Sequence, residues 1–381
     1  MQLRSLLLCS AFALAACGGG TPSGSNLGSP ASPPLKTSTL VPTSFTFTLP
    51  KNGTTSGRNP QYLTSSVASV TITLDKVNGS APPSGLTASV TSNFTPTCST
   101  TCTATVQGPS IPPGSDLFTL TTYDAPNASG HAISTANPTF TITPGVANSP
   151  SVVLDGIPAS FAISGVPSGT AGTPFGAAKN ITVAVKDADG NTITGTYANP
   201  ITIADSDASG SLTQGTALSV DGGTGALSVV TTASTDTVAL DYGGLAIPTA
   251  TLTASATGAT NGTATFTPTL QPIVYSGPLN GSTPEIDLYA TSGYGSTFSY
   301  NVSEAGWTNS PYGKALSVNA SACSTFATAS AGVDVPASGT PVTVTAIASP
   351  SAGTCTMTVS DPFGQTKSVT GTYTVTGIGI Q

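Results

Sequence analysis

From Thr43 onward, apolar and polar residues alternate along short stretches of chain. Ser44-Phe45-Thr46-Phe47-Thr48-Leu49 is the clearest: every second side chain is bulky and apolar, with a hydroxyl between. A period of two is the period of a strand with one face buried. The same texture predicts strands at 67–74, 87–91, 103–107, 117–123 and 139–143, then at 160–164, 180–186, 200–204, 227–231, 237–241 and 249–254. It returns at 285–290, 297–302, 315–319, 341–347, 355–360 and 368–376. No credible helical pattern separates these runs, and short strands at such spacing predict β-sandwiches.

Three segments echo one another. Thr119 to Gly130, Val183-Ala-Val-Lys-Asp-Ala-Asp-Gly190 and Thr356-Met-Thr-Val-Ser-Asp-Pro-Phe-Gly364 each read as a strand, an Asp, a turn and a Gly that leads into another strand. Asp bonds the turn backbone, and Gly supplies the positive φ of a tight hairpin. Dividing the chain after the N-terminal region into three gives about 113 residues per unit, the size of an immunoglobulin-like sandwich. Boundaries near Gly156 and Pro272 give domains at 43–156, 157–271 and 272–381. The expected fold is all-β: three tandem Ig-like β-sandwiches.

The N-terminus has a different character. Arg4 gives a positive start, and Leu6 to Ala16 is an apolar run dominated by Leu and Ala, too short to span a bilayer as a mature helix. It ends in Leu14-Ala15-Ala16-Cys17. This resembles the lipobox of bacterial lipoproteins. The resemblance implies a signal peptide over 1–16, a diacylglyceryl group on Cys17, and Cys17 as the first mature residue. Gly18, where an Asp would favour inner-membrane retention in that family, points to the outer membrane or cell surface. Residues 18–42 are Gly, Ser, Pro and Thr without apolar periodicity and read as a tether.

Composition supports strands over helices. Charged residues are 7% of the chain and hydrophobic residues 38%, with 42 Gly and 31 Pro as punctuation. Long helices need Glu, Lys, Arg and Leu, which are scarce. A net charge of −7 with few bases lacks the footprint that grips phosphate backbones, so nucleic acid is not an expected partner. Between Asp187 and Thr308 there is no Lys or Arg at all, while ten acidic residues fall there.

Apart from Cys9 in the signal and Cys17, four cysteines remain. Cys98 with Cys102, and Cys323 with Cys355, form two local pairs that suit disulfides in an oxidising compartment. The rival is a four-Cys metal site, against which stand the distance between the pairs and the lack of CxxC spacing.

Catalytic signatures are few. His131 is the one histidine, in a turn among Ala and Ser, with no GxSxG pattern to pair with it. A glycosidase needs two facing carboxylates, and Glu285 and Glu304 are the two glutamates. Neither has a motif around it, so no catalytic residue is expected and no cofactor beyond the lipid. Asp187-Ala-Asp189-Gly-Asn191, with Asp205 and Asp207, invites a calcium reading, since alternate oxygen-bearing side chains can converge on a hard cation. The alternative is a plain polar hairpin turn. Tyr275, Tyr289, Tyr294, Phe298, Tyr300, Trp307 and Tyr312 crowd into one stretch. Of these, Tyr294, Trp307 and Tyr312 fall among Gly, Ser, Asn and Pro, where loop exposure would let them stack on sugar rings.

Val183 to Asn191, followed by Ile193 and Gly195, resembles the strand-turn-strand signature of invasin-type bacterial Ig-like domains. With the lipobox, the resemblance is to surface lipoproteins with tandem Ig-like domains. It implies a non-enzymatic adhesive or scaffolding role, a membrane partner through the lipid, and envelope polysaccharide or another surface protein as further partners. A carbohydrate-binding lipoprotein is the second reading and an envelope hydrolase the third. Cys17→Ser should accumulate as uncleaved precursor that takes up no fatty-acid label; labelling equal to wild type would remove the lipoprotein reading.

Overall fold

The computed structural model describes residues 39–49, 63–64, 66–94, 102–213, 215–276, 279–280, 283–289, 297–307, 317–319, 321–323, 327–331, 340–346, 353–361 and 363–374. These contain strands, turns and short 3-10 turns, with no α-helix among the described residues. None of their helices is long and apolar enough to cross a membrane. The protein is all-β, and its strands pair into several sheets.

The first sandwich is built from β1 (Ser44–Leu49), β2 (Ser69–Val77), β3 (Ser89–Asn93), β4 (Cys102–Gln107), β5 (Gly114–Tyr123), β6 (Ala132–Ala136) and β7 (Thr139–Ile142). β1 and β4 pair antiparallel as one layer. The other layer runs β3-β2-β5, with β6 on the C-terminal half of β5 and β7 on its N-terminal half. Alternation sends Phe45, Phe47, Val70, Ile72, Leu74, Phe118 and Leu120 into the core. Phe45 meets Phe118 edge-on at 5.3 Å, and Phe47 meets Phe94 at 5.6 Å. Each such burial stabilises by about 1.5–3 kcal/mol. On the solvent side the intervening hydroxyls pair across strands: Thr71 with Thr91 at 3.1 Å and Thr73 with Ser89 at 3.0 Å. That is the local use of a Thr-rich chain, at about 0.2–1 kcal/mol per pair.

β8 (Asp155–Gly156) is only two residues long, yet it is bonded on both sides. It pairs antiparallel with β6, and Gly156 pairs in parallel with Tyr197 of the next sandwich. Thr196 Oγ1 adds a hydrogen bond to Asp155 Oδ1. The residues at which the chain leaves the first sandwich are therefore a strand shared by two sheets.

The second sandwich comprises β9 (Ser160–Ser164), β10 (Lys179–Lys186), β11 (Thr196–Asp205), β12 (Thr216–Val220), β13 (Ser228–Ala233), β14 (Val238–Tyr242), β15 (Ala250–Ser255) and β16 (Gly262–Phe266). One sheet runs β12-β14-β10-β9, and the other carries β13, β11, β15 and β16. Its own core holds Ile201, Ile203, Leu218, Leu240, Tyr242, Leu252 and Phe266. Tyr242 is inside because its hydroxyl donates to Leu245 O at 2.5 Å.

Beyond it lie β17 (Val274–Ser276), β18 (Leu279–Asn280), β19 (Thr283–Tyr289), β20 (Thr297–Ser303), β21 (Ser317–Asn319), β22 (Ala327–Ala331), β23 (Thr340–Ala346), β24 (Gly353–Ser360) and β25 (Thr366–Thr374). They form a β17-β20-β23-β22 sheet and a β18-β19-β25-β24-β21 sheet, the β19–β25 pair being parallel.

The turn after β20, Glu304 to Trp307, docks on the second sandwich by main chain. Ala246 N donates to Gly306 O at 2.8 Å, and Gly172 N donates to Gly244 O at 2.7 Å beneath it. Gly306 has φ +79°, and a Cβ there would lie 2.2 Å from Gly244 O. Gly306→Ala should destabilise the protein by about 1–3 kcal/mol, from left-handed strain plus a clash with backbone that cannot move aside. Denaturant unfolding monitored through Trp307 checks this; an unchanged midpoint would count against the docked turn.

Candidate functional site

The three echoing hairpins use one carboxylate in one way. Asp187, only 1% exposed, accepts at Oδ1 from the amides of Asp189 and Asn191 at 3.0 and 2.8 Å. Asp361 accepts at Oδ1 from Phe363 and Gln365 at 2.9 and 2.6 Å. In the longer first hairpin, Asp124 Oδ1 accepts from the His131 amide at 2.7 Å and Oδ2 binds His131 Nδ1 at 2.9 Å. A short acceptor next to free turn amides folds back on them, so most of each carboxylate is committed to the backbone.

The first and second hairpins meet where their sandwiches join. Asp124, His131 and Asp189 place one ligand atom each within 4.8 Å of one another. Burial and neighbouring Asp124 raise the Asp189 carboxyl, against a hydrogen bond from Ser66. For Asp124, burial acts upward but the bonds from His131 outweigh it and lower the carboxyl. The His131 side chain is 71% exposed. Ser66, the hydroxyl close to this cluster, serves Asp189, whereas an acyl-transfer triad would place it on the imidazole.

The four aspartates of the calcium expectation do not come together. Among the described residues, Asp124, His131 and Asp189 are the group of three with metal-ligand proximity, and Asp187, Asp189, Asp205 and Asp207 form no such group. Asp187 is held in its own turn. Asp207 accepts from Ser209 N, Ser209 Oγ and Thr216 N at 2.9, 2.7 and 2.8 Å, while Asp205 Oδ1 accepts from Asp207 N at 3.0 Å. These bonds shape the 205–216 loop.

Trp307, expected in an exposed row for sugar stacking, is 5% exposed and packs edge-on against Phe363 with ring centroids 5.7 Å apart. Its position next to the docked turn removes its face from solvent. Tyr294, Tyr312, Cys17 and Cys98 lie outside the described residues, and of Cys102, Cys323 and Cys355 only the backbone is described. Cys102 opens β4 opposite Leu49, and the Ser321–Cys323 turn packs along β24, which carries Cys355. Of Glu285 the structure describes only a backbone position in β19.

Glu304 was notable in sequence only as one of two glutamates. The structure puts it at the second junction, 5% exposed, beside Asp361. Gln365 Nε2 donates both to Glu304 Oε1 at 3.1 Å and to Gln271 O at 2.9 Å. Burial, then the charge of Asp361, pushes the Glu304 carboxyl up to about 8. The missed signal was available: Glu304-Ala-Gly-Trp307 is a turn sequence directly after a strand, and Asp361 was already recognised as a turn anchor.

A cavity of about 290 Å³ opens at the edge of the second sandwich, lined among others by Ile181, Val183, Tyr197, Thr231 and Asp236. Burial, then Asp236, pushes the Tyr197 hydroxyl up to about 12. Asp236 is itself lowered, first by the Thr232 amide, with further bonds from Thr231 and Ala233 outweighing burial.

No family model and no curated protein sequence matches the chain. Among solved structures, it is similar to domains 4–9 of the surface layer protein SbsC, at 15% identity over 80% of this chain and 47% of that one, TM-score 0.20. It is also similar to a β-glycosidase from Bacteroides vulgatus, at 13% identity over 59% of this chain and 24% of that one, TM-score 0.23. A third is extracellular domains 3–5 of Drosophila OTK, at 10% identity over 88% and 93%, TM-score 0.21. The chain spans less than half the length of the first two. TM-scores this low carry no argument about function.

Asp236 yields a pH prediction. Its folded carboxyl lies below the ordinary 3.8, so its contribution is present above that value and is lost as pH falls through the folded one. Asp236→Ala should therefore destabilise the protein at neutral pH, with the deficit shrinking toward zero well below 3.8. Paired thermal melts across that range check it; a deficit independent of pH would contradict it.

Proposed function

We propose that this chain is a non-enzymatic, lipid-anchored protein of the bacterial cell envelope that holds its β-sandwiches outside the cell for adhesion or scaffolding. The observation that carries the reading is the way successive sandwiches are joined. A shared strand at Asp155–Gly156 and a main-chain clamp at Gly306 resist bending where a hinge would otherwise be. Such joints suit a display stalk better than a closing active site. The lipobox residues at Cys17 and the Gly/Ser/Pro stretch after them supply the anchor and the spacing. Side chains committed to turn geometry at Asp124, Asp187 and Asp207 support the non-catalytic part of the reading. The carbohydrate-binding alternative loses its tryptophan, because Trp307 is interior.

Three measurements test this. Protease added to intact cells should degrade the chain, and in Cys17→Ser cells the uncleaved precursor should be protected from it. A deletion strain should lose surface attachment or envelope cohesion, restored by the wild-type chain and not by Cys17→Ser. Protection of the chain in intact cells, or turnover of a glycoside by the purified protein, would overturn the proposal.

A further inference from the structure

The second junction holds two carboxyl groups that the protein leaves incompletely satisfied. Glu304 is 5% exposed and Asp361 is 6% exposed. Glu304 Oε1 takes its bond from Gln365 Nε2, and Asp361 Oδ1 takes the two turn amides. The other oxygens, Glu304 Oε2 and Asp361 Oδ2, are buried and, among the described residues, have no hydrogen-bond donor as carboxylates; the two groups lie within hydrogen-bonding reach of each other.

The equivalent hairpin of the second sandwich shows what is different. There, Asn191 Nδ2 reaches back to Asp187 Oδ2 at 3.3 Å. Gln365 occupies the matching position after Asp361, four residues on, but its amide is turned to Glu304 Oε1 and Gln271 O. Asp361 Oδ2 is thus left open on the side where Glu304 presents its own free oxygen.

While both are ionised the two oxygens only accept and cannot satisfy each other; with Glu304 protonated, one of them can donate to the other. Buried charge of this kind costs several kcal/mol per ion unless it is compensated. Among the described residues, the groups that act on the Glu304 carboxyl are Asp361 and Gln365, with burial the largest effect. A shared proton would still leave one buried negative charge, whereas a divalent cation leaves none. We propose that Glu304 Oε2 and Asp361 Oδ2 are the anionic ligands of a hard divalent cation of the calcium and magnesium class, bound where the Glu304–Trp307 turn meets the Asp361 hairpin. Such cations take carboxylate, carbonyl and water oxygens, and magnesium in particular is held through one or two carboxylates with water or another oxygen ligand completing its shell. The ion would tie a turn already clamped to the second sandwich to the β24–β25 hairpin, coupling cation concentration to the stiffness of that joint.

Trp307 is a built-in reporter. It is the one tryptophan in the chain, and its amide donates to Glu304 O at 3.0 Å. Terbium, standing in for calcium and excited through the indole, should show saturable emission that excess calcium displaces. Glu304→Gln should weaken terbium binding roughly 10- to 100-fold or more, the loss typical of disturbing a metal site. Asp187→Asn should leave the signal intact. Calcium should raise the melting temperature of the wild type and not of Glu304→Gln, a readout that holds even if Asp361→Asn fails to fold. No indole-sensitised emission, or emission unchanged by Glu304→Gln, overturns the proposal. A melting temperature blind to calcium that falls as pH rises from 4.5 to about 8 would assign a proton to the pair instead.

Discussion

At five turns among the described residues the backbone amides need acceptors, and the chain meets that need with aspartate. A sandwich with sharp turns exposes N–H groups that neither sheet can pair, and burying them unbonded costs about 1–3 kcal/mol each. Asp124, Asp187 and Asp361 answer with the same geometry in three places, each carboxylate folded over the turn that follows it. Asp236 and Asp207 repeat the device in other loops. This explains how a stretch without Lys or Arg tolerates many acidic side chains: their charge is met by oriented amides rather than by cations.

Once the turns are held this way, they become rigid contact surfaces, and both junctions are made from them. At the first, the Asp189 carboxylate reaches the Asp124–His131 hairpin while β8 carries the sheet across. At the second, glycines at 172, 244 and 306 let two backbones approach as closely as strands do, with all three at positive φ. A joint bonded through main chain moves less than one packed through flexible side chains, which is the physical basis of the proposed display role.

Much of the fold was readable from alternation alone. β1 and β9 lie where the period-two runs of Phe45 and Phe161 placed them, and most other strands differ by a few residues at their ends. The strands that escaped include the short β8, β17 and β18, the Ala-rich β22, and three without a bulky alternating set: β6, with Ile133 as its one large residue, β12, whose face is mixed by burial on nearly every residue, and β16, where only Phe266 is large. Their pairing partners, not their own pattern, make them strands.

The chain by itself determined strand period, turn chemistry, the acidic middle and the apolar run that ends at Cys17, because each of these is a property of neighbouring residues. Only the tertiary structure decided which carboxylates would face one another. Asp187, Asp189, Asp205 and Asp207 are close in sequence, yet they form no common cluster and local amides take up Asp187 and Asp207, while Glu304 and Asp361 are far apart in sequence and meet because β20 and β24, the strands just before them, deliver their turns to one joint. Trp307 was legible as a loop residue and not as a buried one, since burial there depends on Phe363 and on the docked turn. Contact between distant turns is set by how sheets stack, and no local pattern of residues carries that information.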